Sequence, residues 1–431
     1  MHSLMVNGVH WAGAIIGFVL IWRLHGSARF SRLTWPFTLV WGAVMAGVIF
    51  WNTQPLLEHI FWDFRYCYWL AGELVWHGPQ ALMGAYSDEK LVFVNLPIVA
   101  YLFAPFGLMP PLTSSIVFSL IGLGVVALIW RMLVKMYELT DREAALLAFA
   151  LCIFGPLVYT FKVGNTSQYV LALLLGGLMM ARSGKDLAAG ALFGVAAVIK
   201  PALLLIGVLY FLRGRWRVVA GGAAVVTGSV ALSLLIFGWD MHVFWYETTI
   251  EPFSSNPVLA SANQTLKGMV ARFEAGGANW QDYDLYVLAP VSHLIAQALT
   301  LALVAGIAYA VWRSGRALRP ANLDIETEVL IIVALGMSVS ALSWAHYHVW
   351  LLPAITLLWA RSRRSEPLAH LRWPLVATFA LLAGTVFVSH SMTLGRFGFA
   401  SNFIVSHWLW GALATLVLLS VLRAQRVTPT S

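Results

Sequence analysis

Long apolar segments separated by short basic clusters are the feature that most constrains the fold of this chain. Segments such as 33–51, 113–134 and 217–238 approach or exceed the roughly 20 apolar residues that a transmembrane helix needs. Charged residues make up only 11% of the chain and hydrophobic residues 60%, whereas a soluble domain is about a quarter charged. The pattern predicts an all-α integral membrane protein. It excludes an ordinary soluble enzyme, a disordered chain and a nucleic-acid-binding protein.

The net charge of +8 has an explanation that does not involve nucleic acid. Basic residues collect between apolar segments, as they do in the cytoplasmic loops of membrane proteins. If every cluster is cytoplasmic, the segments between clusters cross in pairs, which predicts about 13 transmembrane helices. The clusters are Arg23/Arg29/Arg32, Arg131/Lys135/Arg142, Arg182/Lys185, Arg213/Arg215/Arg217, Arg313/Arg316/Arg319, Arg361/Arg363/Arg364/Arg372 and Arg423/Arg426.

This topology treats residues 1–431 as one membrane-embedded domain with two long extracytoplasmic loops, 52–90 and 239–286. Segment 91–111 is apolar but contains four prolines, so we expect a re-entrant or interfacial element there. Polar residues gather in loops at one face, whereas a carrier places them near the middle of the bilayer. The arrangement favours an enzyme at the outer membrane boundary, with a lipid-linked sugar carrier or flippase as the alternative.

Asp63 is the first candidate for chemistry, because it lies among aromatic residues just after the second apolar segment. A carboxylate that is partly removed from water has a raised pKa. Such a group suits a general base that deprotonates a sugar hydroxyl. The alternative is a surface aspartate that forms an ion pair with Arg65.

Basic and imidazole side chains supply candidates for binding an anion. Lys200 lies alone between two apolar segments, and such a lysine needs either an anionic partner or access to water. His346 and His348 flank Tyr347, and this spacing of two does not place them on one helix face. We therefore expect hydrogen bonds to phosphate or sugar rather than a shared metal ion, or, alternatively, ordinary interfacial histidines.

Two further polar segments lie in the predicted outer loops or turns. Asn165 and Gln168 belong to a turn between two apolar segments, where amides suit sugar hydroxyls or simply stabilise the turn. A second segment has amides and basic residues, and its basic side chains could meet lipid phosphates or line a surface helix that binds headgroups. Its candidate residues are Asn263, Gln264, Lys267 and Arg272.

Several signatures of other chemistries are absent from the sequence. There is no phosphate-binding glycine loop, zinc motif or nucleophile elbow. The two cysteines, Cys67 and Cys152, predict neither a disulfide nor a metal site. We therefore expect no metal cofactor, and we expect a donor substrate that carries its own leaving group within the membrane.

The order of these motifs resembles glycosyltransferase family 87, of the GT-C structural class. Asp63-Phe64, Gly164-Asn165, Lys200-Pro201 and His346-Tyr347-His348 carry the resemblance, together with the segment that begins at Asn263. Two positions depart from the family pattern. Cys67 occupies the place of a frequent tyrosine, and Asn95-Leu96-Pro97 replaces a Tyr-Pro-Pro motif.

The resemblance implies a GT-C-like helical bundle in a bacterial plasma membrane, with its active site on the periplasmic face. It implies an inverting transfer of a sugar, most often mannose, from a polyprenyl monophosphate to a lipid or glycan acceptor. By the same resemblance, Asp63 is the catalytic base. Lys200, His346, His348, Arg272 and Lys267 bind the donor phosphate, and Tyr66, Asn165, Gln168, Asn263 and Gln264 bind the sugar or acceptor. The alternatives are an arabinose or glucose transferase that uses a polyprenyl phosphate, and a polymerase or ligase of diphosphate-linked glycans.

Overall fold

The computed structural model describes residues 2–52, 60–87, 91, 93–276, 282–315, 322–384 and 400–424. Regular structure over these residues is helical, and β-pairing is limited to the isolated bridges Val258–Leu285 and Asn263–Trp344. The all-α prediction is therefore confirmed. In chain order, the α-helices are α1 His2–Gly26, α2 Thr34–Asn52, α3 Leu70–Leu74, α4 Pro79–Ser87, α5 Ala104–Gly107, α6 Pro111–Met136, α7 Asp141–Ile153, α8 Gly155–Val163, α9 Ser167–Arg182, α10 Asp186–Ile199, α11 Leu204–Leu212, α12 Trp216–Trp245, α13 Glu251–Ser255, α14 Leu266–Glu274, α15 Pro290–Gly315, α16 Asn322–Val339, α17 Leu352–Arg364, α18 Arg372–Ala383, α19 Ser401–Val405 and α20 His407–Ala424.

Among the described residues, 6 helical stretches are long and apolar enough to cross a membrane. A seventh results if α7 and α8, which meet at a bend of 50°, form one broken span. Helices α9 and α10 are apolar but shorter, as is the helical stretch Pro201–Leu212. A protein with several membrane-spanning helices is thereby confirmed, while the number of 13 crossings stays a prediction.

Ion pairs join the ends of several helices at one end of the bundle. Arg182, the last residue of α9, pairs with Glu326 of α16 at 2.5 Å. Arg213 donates two hydrogen bonds, of 2.7 and 2.5 Å, to Glu328, which also accepts one from Arg423 of α20 at 3.1 Å. We call this region, defined by Arg182, Arg213, Arg423, Glu326 and Glu328, the charged end.

Further basic clusters extend the charged end. Arg364, at the end of α17, donates to the carbonyl oxygens of Tyr137 and Glu138, just after α6. His25 of α1 contacts Asp141 at the start of α7 at 3.1 Å. Clusters far apart in sequence thus lie at the same end of the bundle, as the topology prediction requires. Of the predicted basic residues, Arg316, Arg319 and Arg426 lie outside the described part of the chain.

Three helices run from the charged end to the opposite end. Helix α9 has 16 residues and is therefore about 24 Å long at 1.5 Å per residue. Its first residue, Ser167, lies at the opposite end from Arg182. Likewise, α10 ends at Ile199, just before Lys200, and α17 begins at Leu352, directly after the 3₁₀-helix Ala345–Leu351 that contains His348. We call the region where these helices meet, around Ser167, Lys200 and His348, the site end.

The predicted outer loops contain short helices. The described part of 52–90 forms a π-helix over Phe64–Trp69, followed by α3 and α4. Segment 91–111 contains a 3₁₀-helix, Pro97–Leu102, and the four-residue α5, neither of which is long enough to span a bilayer. Gly238, with φ of 77°, breaks α12 where the apolar segment 217–238 was expected to end.

Candidate active site

Asp63 is placed by an unusual backbone turn. The preceding Phe61 has a φ of 62°, which is uncommon for a residue other than glycine. Its amide donates to the carbonyl oxygen of Lys162 at 2.7 Å, which ties this turn to the end of α8. Asp63 then directly precedes the π-helix Phe64–Trp69. Strained backbone and π-helical turns both occur often at functional sites.

The end of α8 brings a second loop against this turn. Gly164 adopts the left-handed conformation, with φ of 72°, and Asn165 donates its backbone amide to Thr160, a Schellman ending. A Cβ atom on Gly164 would lie 2.6 Å from Cβ of Phe64. Glycine is therefore required by both its conformation and the close approach of the Asp63 segment.

A hydrogen-bonded chain of three side chains forms the centre of the site. Asn165 Nδ2 donates to Asp63 Oδ2 at 2.7 Å, and Ser167 Oγ donates to Asn165 Oδ1 at 2.9 Å. Asn165 and Ser167 are buried, while Asp63 keeps partial exposure. Among the described residues there is no ion pair between Asp63 and Arg65, which was the alternative interpretation of this aspartate.

Lys200 reaches the site from the end of α10. The following Pro201 disfavours helical geometry at Lys200, which has an extended backbone with φ of −136°. Asn95 Nδ2 donates to the carbonyl oxygen of Ile199 at 2.5 Å, one of the orphan acceptors at this helix end. The lysine is thereby held at the turn between α10 and α11.

Two tyrosines contact the ammonium group of Lys200, a residue that is 5% exposed. Its Nζ lies 3.3 Å from the hydroxyl oxygen of Tyr347 and 3.5 Å from that of Tyr68, and 4.7 Å from the centre of the Tyr347 ring. An ammonium group has three donors, and these hydroxyl contacts are long. The cation is therefore well placed to interact with an anion that enters the site.

The charges of Asp63 and Lys200 influence each other. Burial raises the pKa of the Asp63 carboxyl, while the hydrogen bond from Asn165 and the charge of Lys200 partly offset this rise. Burial alone would lower the pKa of Lys200, but Tyr347, Tyr68 and Asp63 together raise it above its ordinary value. The site accordingly combines a carboxyl group of increased basicity with an ammonium group whose charged form is favoured.

The two predicted histidines lie at the same end of the bundle but have different surroundings. The ring of His346 stacks against that of Tyr159 and meets Tyr347 edge-on, and its two nitrogens have no hydrogen-bond partner in the part of the chain that the structure describes. Burial, followed by the charge of Lys200, holds the pKa of His346 well below its usual range. His348 packs near Trp408, and burial lowers its pKa to about 3. Both histidines are therefore neutral.

Trp350 connects the turn that contains Asn165 and Ser167 to Tyr347, which contacts Lys200. Its indole Nε1 donates to the carbonyl oxygen of Ser167 at 3.1 Å, and its ring stacks on Tyr347 with 4.7 Å between centroids. A second connection joins the hydroxyl groups of Tyr68 and Thr166 at 3.2 Å. The sequence interpretation missed these residues, although Tyr68, Thr166, Ser167 and Tyr347 each lie within five positions of a predicted one.

The other predicted amides contact protein groups. Asn263 bonds the backbone of Val258 and Ser343, and Gln264 bonds that of Val405 and Leu409. Both side chains are fully buried. They join three segments of the chain at the site end, and their binding of sugar or acceptor stays a prediction.

Arg272 and Lys267 of α14 are also engaged by the protein. Arg272 is buried, donates to the carbonyl oxygen of Asn263 at 2.8 Å and to Ser406 Oγ at 2.9 Å, and has its pKa lowered by burial to about 9. Lys267 Nζ donates to the carbonyl oxygen of Ser255 at 2.5 Å. No described contact joins either residue to Asp63 or Lys200, so their binding of the donor phosphate stays a prediction.

The last two predicted residues lie beside the central chain. Gln168 follows Ser167 and is buried, and its Oε1 atom has no hydrogen-bond partner among the described residues. Tyr66 is 43% exposed and packs against Trp62, with 4.2 Å between ring centroids. Within the described residues, no group of three His, Cys, Asp or Glu side chains is arranged to hold a metal ion.

Comparison with known protein families gives the site its context. Residues 93–335, more than half of the chain, match glycosyltransferase family 87. The chain belongs to glycosyltransferase family 87. This match confirms the resemblance that the sequence motifs of the glycosyltransferase suggested. Asn165 and Lys200 fall within the matched range, whereas Asp63 and His346 lie outside it.

Individual relatives extend the similarity over most of the glycosyltransferase. Over an alignment of 390 residues, it is 27% identical to a polyprenol-phosphate-mannose-dependent alpha-(1-2)-phosphatidylinositol mannoside mannosyltransferase of Mycolicibacterium smegmatis. The alignment covers 83% of this chain and 82% of the relative. A protein of the same description from Mycobacterium tuberculosis is 24% identical over 94% of both chains. A pentamannoside mannosyltransferase of Mycolicibacterium smegmatis is 28% identical over 65% of both. No solved structure gives a significant match.

Proposed function

We propose that this membrane glycosyltransferase transfers mannose from polyprenol-phosphate mannose to a hydroxyl group of a lipid or glycan acceptor. Its relatives from two mycobacteria are described as mannosyltransferases that depend on this donor and act on phosphatidylinositol mannosides. The proposed acceptor is therefore a glycolipid of the membrane surface or a glycan attached to one.

The hydrogen bond between Asn165 and Asp63, in a site that also holds Lys200, carries this proposal. The bond orients a carboxylate that remains partly accessible, and the nearby cation affects the pKa of that carboxylate. Sugar transfer from a lipid phosphate needs a base for the incoming hydroxyl and positive charge for the departing phosphate. Asp63 supplies the base, and Lys200 supplies the positive charge.

In the proposed reaction, an oxygen lone pair of the acceptor hydroxyl attacks the anomeric carbon of mannose. The bond from that carbon to the phosphate oxygen breaks, and its electron pair leaves with the polyprenyl phosphate. Asp63 takes the proton from the attacking hydroxyl. Attack from the face opposite the leaving group inverts the configuration, so a β-linked donor yields an α-linked product. Lys200 stabilises the negative charge that develops on the phosphate.

The remaining predicted residues complete this proposal. Neutral His346, whose ring nitrogens meet no hydrogen-bonding group of the described residues, can donate a hydrogen bond to the phosphate or sugar without adding charge. Tyr66 and Gln168 are the predicted sugar-binding or acceptor-binding residues nearest the central chain. For Asn263, Gln264 and Arg272, the observed hydrogen bonds support a second task, which is to hold the loops of the site end together. His348 stays a predicted phosphate-binding residue.

We further propose that the site end faces the extracytoplasmic side of a bacterial plasma membrane. Basic residues are enriched in cytoplasmic loops, and the basic clusters described above meet at the charged end. Helices such as α9 and α10 connect that end to the site. Substrates carried on lipid at the outer surface can reach a site at this position.

Purified enzyme in lipid nanodiscs tests the reaction. It would be incubated with synthetic β-linked polyprenyl phosphates that carry mannose, glucose or arabinose, together with a phosphatidylinositol mannoside acceptor, and NMR would identify the anomeric configuration of the product. Transfer of mannose with an α configuration is expected. Preferential transfer of glucose or arabinose would contradict the donor assignment, and a β product would contradict direct inversion.

A further inference from the structure

We propose that Ser167 is a positioning residue, which holds the side-chain amide of Asn165 with Nδ2 directed at Asp63. This inference rests on the proposed role of Asp63 as the base. Asn165 was predicted to touch sugar or acceptor. The structure assigns both ends of its side-chain amide to protein partners, and thereby gives Ser167 a task that the sequence did not indicate.

The two hydrogen bonds of the Asn165 side chain determine its orientation. Its Nδ2 donates to Asp63 at 2.7 Å, while its Oδ1 accepts from Ser167 Oγ at 2.9 Å. Rotation of the amide by half a turn would place Oδ1 against the carboxylate and Nδ2 against the serine hydroxyl. A carboxylate only accepts hydrogen bonds, so the rotated amide would repel ionised Asp63 and favour its protonated form.

Ser167 is itself held firmly. It is 0% exposed, it is the first residue of α9, and its carbonyl oxygen accepts from the indole of Trp350 at 3.1 Å. Because a serine hydroxyl can donate or accept, the orientation of the amide is selected by Asp63, whose ionised carboxylate only accepts. Ser167 Oγ gives Asn165 Oδ1 a buried partner in that orientation, and so fixes the amide in the position that stabilises the Asp63 carboxylate.

Other ionisable groups influence Asp63, and burial shifts the pKa of the thiol and phenol groups among them away from the acid range. Burial raises the pKa of the Cys67 thiol well above its usual value and that of Tyr68 to about 12, and it also raises that of Tyr283. Lys200 stays charged, and the pKa of His346 is held well below its usual range. The groups that face the carboxylate are Cys67, Tyr68, Tyr159, Lys200 and Tyr283.

The test is a titration of Asp63 itself by difference infrared spectroscopy. The carbonyl stretch of its protonated form is assigned by its loss in Asp63→Asn, and the full-length protein in nanodiscs is titrated in the wild-type, Ser167→Ala and Ser167→Thr forms. We expect Ser167→Ala to raise the midpoint of the Asp63 titration by about one pH unit. Ser167→Thr keeps the hydroxyl, so its midpoint should equal that of the wild type. Ser338→Ala is the matched control, because this buried serine donates to the carbonyl oxygen of Ala334 within its own helix, α16.

A second measurement and a second variant separate the possible failures. The acid limb of the pH profile of kcat/KM for mannose transfer should move by the same amount as the Asp63 midpoint measured by infrared spectroscopy. Ser167→Cys, whose thiol is a weaker donor, should give a smaller shift and serves if Ser167→Ala does not fold. An unchanged Asp63 midpoint in Ser167→Ala or Ser167→Cys, beside a raised midpoint in Asn165→Ala, would overturn the role of Ser167. A raised midpoint without mannose transfer by the wild type would support the positioning role and contradict the proposed function instead.

Discussion

The indole nitrogen of Trp350 donates a hydrogen bond to the main-chain carbonyl of Ser167, 183 positions earlier in the chain. Through this bond, the loop that orients Asp63 is joined to the segment that contacts Lys200, because the Trp350 ring also stacks on Tyr347. One connected group of side chains thereby positions both Asp63, the proposed base, and Lys200, the proposed phosphate-binding cation.

Trp350→Phe tests this connection. The phenylalanine ring can still stack on Tyr347, but the carbonyl of Ser167 loses the hydrogen bond from the indole, which contributes about 0.5–1.5 kcal/mol. We expect a lower unfolding temperature and a reduced kcat/KM. Trp130→Phe is the control, because Trp130 also donates its indole to a carbonyl, that of Ala144, but far from the site. Equal loss of activity in both variants would contradict a specific role for Trp350.

Tyr347→Phe removes the hydroxyl near Lys200 while it leaves the ring 4.7 Å from the ammonium group. A hydrogen bond to a charged group contributes about 1.5–3 kcal/mol, so a lysine that loses this partner is held less precisely. We expect kcat/KM for the polyprenyl phosphate donor to fall by about 10-fold, as expected from 1.4 kcal/mol, and Lys200→Met to cost more. Tyr210→Phe, at a buried tyrosine near the charged end, should leave donor kinetics unchanged. Similar effects of Tyr347→Phe and Tyr210→Phe would argue against the assignment.

Asn165→Ala should change the pH dependence of transfer. The asparagine stabilises the ionised carboxylate and so lowers the pKa of Asp63. Without it, the pKa rises, and the fraction of ionised base at a given acidic pH falls. The acid limb of kcat/KM should therefore move to higher pH, with most activity retained at the alkaline plateau. Burial lowers the pKa of His346 and His348, and both histidines are present in the wild type and the variant, so a difference between the two acid limbs reports the loss of Asn165. A shift toward lower pH would contradict the prediction.

Gly164→Ala tests the turn that brings Asn165 to Asp63. Its new Cβ would lie 2.6 Å from Cβ of Phe64, in a backbone with φ of 72°. Gly184 has the same φ but nothing within 4 Å, so Gly184→Ala measures the conformational cost alone, about 1–2 kcal/mol. We expect Gly164→Ala to lose more stability and nearly all activity. Equal unfolding temperatures and normal transfer in both variants would show that the close approach is unimportant.

Several parts of the site could be predicted from the sequence, because their chemistry is unusual in an apolar chain. Asp63, Asn165, Lys200 and His346 were expected at one face, and the structure places them at one end of the bundle. Charged and amide groups are costly in a membrane protein unless they have a function or a partner, so each was conspicuous. The family match confirms the enzyme class that their order suggested.

Other parts could not be predicted, for physical reasons. A short apolar helix has the same composition whether lipid or neighbouring helices cover it, so hydropathy alone could not establish the number of crossings. Tyr68, Tyr347 and Trp350 resembled the aromatic residues that line membrane interfaces, and only their three-dimensional contacts distinguish them. Asn263 and Arg272 are polar in sequence whether they face substrate or, as observed, join loops.

Single-turnover transfer by Asp63→Asn is the most direct test of the proposed mechanism. The asparagine keeps the size of the side chain but cannot take a proton from the acceptor. Mannose transfer from polyprenyl-phosphate mannose would be measured for the wild type, for Asp63→Asn and for Asp240→Asn, a control at an exposed aspartate. We expect a loss of at least about 100-fold for Asp63→Asn, as for the removal of a general base, with donor binding retained, and no loss for Asp240→Asn. Transfer by Asp63→Asn at the wild-type rate would contradict the assignment of Asp63 as the base.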